Sequence, residues 1–193
     1  MFRALHRRIL RFLLRTVRAA GPWDRIAAPV PVHVYGLGSR QPFDWYLQGE
    51  SAVEVVSLED VLEWLLGCTY ATDRDLFRHP DYWQHPCAFE RMRQGDCEDF
   101  ALWAWRKLVR LGYDAEFIVG YVLHPEGHSR GHAWVVFRQN GESFVFDPSI
   151  RTRLQMVAPL FRVAHEYVPE VSVDGNLARY VYTGYALWRS RAS

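Results

Sequence analysis

The dipeptide Asn140-Gly141 constrains the fold of this chain more than any other two residues. An Asn-Gly pair between β-prone runs closes a two-residue hairpin, because both of its residues tolerate positive φ. The flanking runs, 133–138 and 143–147, are dense in Val, Phe and Trp and read as adjacent antiparallel strands. That turn puts Gln139 opposite Glu142, Trp134 opposite Asp147 and His132 opposite Ser149. Opposed residues point to one face of a sheet, so His132 and Asp147 share a face about two positions apart, within side-chain reach.

The hairpin follows a strong helical pattern. Phe100, Ala101, Ala104, Leu108 and Leu111 recur at helical spacing from Asp96 onward, and Gly112 ends the run. A strand over 115–123 comes next. An earlier helix opens at Ser57, with Asp60 at the capping-box position and Val61, Leu62, Trp64, Leu65 and Leu66 on its buried side. Short β-prone pieces lie at 32–35 and 53–56, and 68–94 is a polar and aromatic connection broken by Pro80 and Pro86. The tail predicts a helix over 154–164, interrupted near Pro159, and another over 177–188. A helix followed by antiparallel strands is an α+β arrangement.

The chain of 193 residues is long enough for one domain and an appendage. Charge divides it. Residues 1–25 hold seven Arg and one Asp, whereas the remainder is mildly acidic, which argues against a nucleic-acid surface. Residues 2–20 read as an amphipathic helix with six Arg on one face and Leu5, Ile9, Phe12, Leu13 and Val17 on the other. It suits either docking on the body or a partner, or peripheral contact with an anionic membrane. We therefore divide the chain into a basic helix and linker, 1–28, and a catalytic domain, 29–193. Three cysteines, Cys68, Cys87 and Cys97, make no disulfide framework and predict a reducing, cytoplasmic location.

Chemistry concentrates in Gly95-Asp96-Cys97-Glu98-Asp99-Phe100. Asp96 is placed to cap the helix and Asp99 to complete the cap, making Cys97 the first helical residue. A helix start offers N–H groups without intrahelical acceptors, and its positive end favours thiolate over thiol. His132, at a strand entrance after a loop, suits a general base, and Asp147 suits the group that fixes its ring. A buried core cysteine is the competing reading of Cys97, although Asp96, Glu98 and Asp99 would make such a core unusually polar. A second oxyanion donor is required beside the Cys97 N–H, with Trp83, Gln84 and Gln94 as candidates. The spacing of His85 and the cysteines fits no zinc site, and no EF-hand surrounds Asp96, Glu98 and Asp99, so no metal or other cofactor is expected.

The motifs Gly-Asp-Cys97-Glu-Asp-Phe-Ala, Gly131-His132-Ala133-Trp134 and Phe146-Asp147-Pro148, with Asp81-Tyr82-Trp83 upstream, occur in an order that resembles the transglutaminase-like branch of the papain-like cysteine enzymes, including its bacterial cysteine proteinases. The resemblance spans about 57–148. It implies a nucleophile helix packed on an antiparallel β-sheet, a Cys97–His132–Asp147 triad and a cysteine protease or amidase acting on a protein or peptide. The Arg91-Met92-Arg93-Gln94 stretch departs from the small, glycine-rich approach expected before the thiol. Hydrolysis through an acyl-enzyme is the first expectation. Acyl transfer to an amine and an inactive protein-binding module are the alternatives.

Overall fold

The computed structural model describes residues 21–185, apart from Pro125 and Gly127, together with Trp188. The basic helix expected over 2–20 lies outside the described residues.

Nine strands are present among the described residues: β1 (Arg25–Ala27), β2 (Thr69–Tyr70), β3 (Gln94–Gly95), β4 (Asp114–Leu123), β5 (Ser129–Gln139), β6 (Glu142–Phe146), β7 (Val157–Pro159), β8 (Tyr167–Asp174) and β9 (Arg179–Tyr182). Seven form one antiparallel sheet in the order β1-β9-β8-β4-β5-β6-β7, and β2 pairs with β3 in a separate parallel ladder. The β5–β6 register is the one expected from the turn, with Gln139 opposite Glu142 and Val135 opposite Phe146. Asn140 (φ 52°) and Gly141 (φ 82°) take the positive φ values that a type I′ loop demands.

The helix Cys97–Arg110 lies against β4 and β5. Phe100, Trp103, Trp105 and Leu108 are fully buried and join Phe117, Val135, Phe137, Val171 and Val173 in the main core. The opposite side of the sheet carries a smaller cluster of Ile118, Trp134, Val136, Val145, Tyr167 and Tyr182, covered in part by Leu160 and Val163. This is the α+β, papain-like arrangement of helices on an antiparallel sheet. The earlier helix runs Leu58–Leu66. Ser57 accepts from the Asp60 N–H at 3.2 Å, and the Asp60 carboxylate accepts from the Val56 N–H at 2.9 Å, so the cap reaches one residue further back than a standard box.

Several local expectations are corrected. Residues 32–34 form a 3-10 turn, and 53–56 form no strand. Of the tail helix expected over 177–188, Arg179–Tyr182 is strand β9, and the described residues after it, 183–185 and 188, are helical. The helix expected over 154–164 is split into Arg153–Met156 and Leu160–Val163 by β7. Strand β8 was not anticipated. It sits in mid-sheet despite Pro169, which falls where the register shifts opposite Val119 and Gly120, a bulge that spares the missing N–H. Arg25–Ala27, assigned from sequence to the linker, forms the outermost strand.

Candidate active site

Gly95 and Asp96 deliver Cys97 to the start of its helix. Gly95 pairs with Tyr70 across the β3–β2 ladder. A Cβ on Gly95 would stand 2.4 Å from an Asp99 carboxylate oxygen, so glycine is required by this close approach. Asp96 is extended, its carbonyl accepts the first intrahelical bond from the Phe100 N–H at 3.1 Å, and Cys97 is the first helical residue. The Cys97 thiol is half-buried and lies 3.3 Å from a Glu98 carboxylate oxygen.

The hairpin brings its two residues together. His132 Nε2 and Asp147 Oδ2 are 2.7 Å apart, both side chains nearly buried. Every lone-pair direction of Asp147 is used. Tyr167 Oη donates to Oδ2 at 3.0 Å, and the Ser149 N–H and Oγ donate to Oδ1 at 3.1 and 2.7 Å. Cys97 lies near enough to the imidazole to influence its charge. Burial alone would lower the His132 pKa. The bonds and charges of Asp147 and Cys97 overcome burial and push it up to about 10. Burial opposes the Asp147 charge too, yet the His132 contact, followed by Ser149 and Tyr167, holds it below the usual carboxylate range. A cavity of about 330 Å³ opens beside the pair, with Val122, Arg130, His132, Asp147 and Tyr167 among its walls.

Asp96 and Asp99 do not cap the helix with their side chains. Asp96 makes no cap hydrogen bond, and Asp99 accepts from the Gln84 N–H at 2.7 Å and from Gln84 Nε2 at 2.5 Å. Both carboxylates instead belong to a buried acidic group with Asp73, Asp81 and Glu98, a convergence that sequence spacing did not reveal. The ligating atoms of Asp73, Asp96 and Asp99 lie within 4.8 Å of one another, as do those of Asp73, Asp81 and Glu98. Burial pushes Asp73 up to about 6, despite the Tyr82 N–H bonded to it, with help from the charges of Asp96 and Asp81. Burial likewise raises Asp96, Glu98 and Asp99, the last two strongly. Asp73 Oδ1, Asp96 Oδ1 and Gln84 Oε1 are buried acceptors without a donor. Such an oxygen-only set fits a hard cation.

Two of the three oxyanion candidates have committed their side-chain donors. Trp83 Nε1 donates to Asp81 Oδ1 at 2.8 Å, and Gln84 Nε2 is shared between Asp99 and the Gln94 carbonyl. Gln94 is exposed on β3.

The family model described as bacterial transglutaminase-like cysteine proteinase, BTLCP, matches residues 53–168, a span that includes Cys97, His132 and Asp147. The chain belongs to this family. Membership carries the transglutaminase-like, papain-like fold. No curated protein matches the sequence. Similar solved structures include calcium-bound LapG of Legionella pneumophila, at 19% identity, 70% coverage of this chain, 78% of LapG and a TM-score of 0.49. EGTA-treated LapG from the same organism is another, at 22% identity, 60% coverage of each chain and a TM-score of 0.45. This match thus spans 60% of that LapG chain. The cytoplasmic location expected from the free thiols is corrected: the LapG proteins are periplasmic or secreted. An odd number of free thiols does not by itself fix a compartment.

Proposed function

We propose that this BTLCP protein hydrolyses a peptide bond in a protein substrate, with Cys97, His132 and Asp147 as a catalytic triad. The observation that carries the reading is the buried His132, bonded to a fully coordinated Asp147 and raised in pKa by that carboxylate together with the nearby thiol at a helix start. His132 takes the Cys97 proton, and the thiolate sulfur adds to the scissile carbonyl carbon. The carbonyl electron pair moves onto oxygen, where the Cys97 N–H stabilises it. Collapse breaks the C–N bond as His132 protonates the leaving amine. Water, deprotonated by His132, then releases the acyl group and restores the thiol. Asp147 holds the imidazolium throughout.

The acidic group beside the thiol supports a second assignment, Ca²⁺ bound by Asp73, Asp96, Glu98 and Asp99. Three buried acceptors without donors, in a place where burial penalises every carboxylate, favour it. A bound cation would neutralise this charge and fix the chain entering the nucleophile helix.

The test is incubation with a peptide library, read by mass spectrometry, with and without iodoacetamide and with and without a primary amine. New carboxyl termini that disappear after alkylation support hydrolysis. Products formed only with the amine establish acyl transfer instead. For the cation, Ca²⁺ added after EGTA should raise the melting temperature of the wild type and not of Asp73→Asn. Equal shifts, or none, would remove the metal from the account.

A further inference from the structure

Cys97 supplies one oxyanion donor, and the Trp83 and Gln84 side chains are engaged elsewhere. A tetrahedral adduct at Cys97 needs another donor near the same helix start. The residue that the fold brings there is Tyr70. It is the β2 partner of Gly95, two residues before Cys97, and its ring packs 6.1 Å from that of Phe100, one turn beyond Cys97. From the opposite wall, Arg130 Nη2 donates to the Tyr70 hydroxyl at 3.3 Å. Arg130 stands two residues before His132 on β5, so both project to one side of the strand, and both line the same cavity. The Tyr70–Arg130 contact therefore reaches from the strand beside the Cys97 helix start to the wall of the cavity that Arg130 shares with His132.

We propose that the Tyr70 hydroxyl is the second oxyanion donor and that Arg130 is its positioning residue. The inference rests on Cys97 being the nucleophile. Since the phenol oxygen accepts from Arg130, its own proton remains free to donate, and an O–H polarised in this way is the stronger donor. Burial, followed by the neighbouring Cys97 charge, raises the Tyr70 pKa, so the phenol keeps the proton that this role needs. As the acyl carbon becomes tetrahedral, the new oxyanion is held between the Cys97 N–H and the Tyr70 O–H.

Two reagents separate this role from a general effect on the thiol. 4-Nitrophenyl acetate acetylates Cys97 through a tetrahedral oxyanion: the S–C bond forms, the C–O bond breaks and 4-nitrophenolate leaves. Iodoacetamide alkylates the same sulfur with loss of iodide and forms no oxyanion. Tyr70→Phe keeps the ring against Phe100 and removes only the hydroxyl. It should slow acetylation by about tenfold or more and leave alkylation within about twofold of wild type. Arg130→Lys should retain more acetylation than Arg130→Ala, and Arg130→Ala should add nothing in the Tyr70→Phe background. Equal slowing of both reagents, an unchanged acetylation rate, or a further loss from Arg130→Ala in that background would overturn the proposal. Wild-type acetylation by Cys97→Ser would instead show that the nucleophile assignment had failed.

Discussion

Asp147→Asn is the substitution whose consequence can be worked out furthest from geometry. The carboxylate accepts two hydrogen bonds at each oxygen: His132 and Tyr167 at Oδ2, Ser149 N–H and Oγ at Oδ1. A carboxamide has one acceptor oxygen and one donor nitrogen. Facing its oxygen to the two Ser149 donors turns its NH₂ toward His132 Nε2 and Tyr167. The tyrosine hydroxyl can rotate to accept. The imidazole must then carry its proton on its other ring nitrogen, which can no longer take a proton from the thiol. The imidazolium also loses its counter-charge. His132 stands at about 10 against an ordinary 6.5, held there against burial by Asp147 together with Cys97, so removing the Asp147 charge lowers it. Loss of the carboxylate that orients the histidine of such a triad costs on the order of 10³- to 10⁴-fold in turnover. The assay is kcat/KM on a cleaved library peptide across pH, with urea denaturation as a control for folding. Wild-type turnover and an unshifted pH profile in a folded Asp147→Asn protein would refute this reasoning.

Other expectations can be tested separately. Iodoacetamide should label Cys97 well before Cys68, whose thiol is buried and pushed up in pKa, and before Cys87, whose sulfur is tied to the Glu50 carbonyl and Arg106; site-resolved mass spectrometry showing equal labelling would contradict the account. Because the folded His132 pKa is raised from 6.5 to about 10, the stability it contributes is complete below about 6.5 and is lost as pH rises through 10. Melting curves of wild type and His132→Gln should therefore converge across that window, and a constant difference would be the contrary result. Glu90 is paired with Lys107 at 2.9 Å and accepts from Trp103 at 2.9 Å and from the Ala52 N–H at 2.8 Å, so Glu90→Ala strands a buried cation and should destabilise the fold by about 3–5 kcal/mol. Urea denaturation measures this, and a change under about 1 kcal/mol would show that the pair is solvated.

What could be read from the sequence was local. Asn140-Gly141 fixed the β5–β6 register, and that register alone brought His132 to Asp147. The helix at Cys97 was legible because its apolar spacing is regular and Gly112 ends it. Strand β8 was hidden because Pro169 disfavours a central strand unless a bulge receives it, and that bulge depends on Gly120, far away in the chain. Strand β9 carries too little alternation to be told from a helix, and its pairing with β1 and β8 decides the matter. The acidic group was missed for a related reason. Asp96 and Asp99 looked like ordinary caps, and only the folded 68–94 segment brings Asp73, Asp81 and Gln84 against them. Tyr70 carries no motif at all; its place follows from a two-residue parallel ladder.

The central claim is that Cys97 forms the covalent acyl intermediate. The direct measurement is rapid acid quenching during turnover of a cleaved library peptide, followed by digestion and mass spectrometry of the trapped protein. The account predicts an acyl group on the Cys97 peptide of the wild type, more of it when the hydrolytic step is slowed, and none in Cys97→Ala. An adduct on Cys68 or Cys87, or continued turnover by Cys97→Ala with no adduct anywhere, would contradict it.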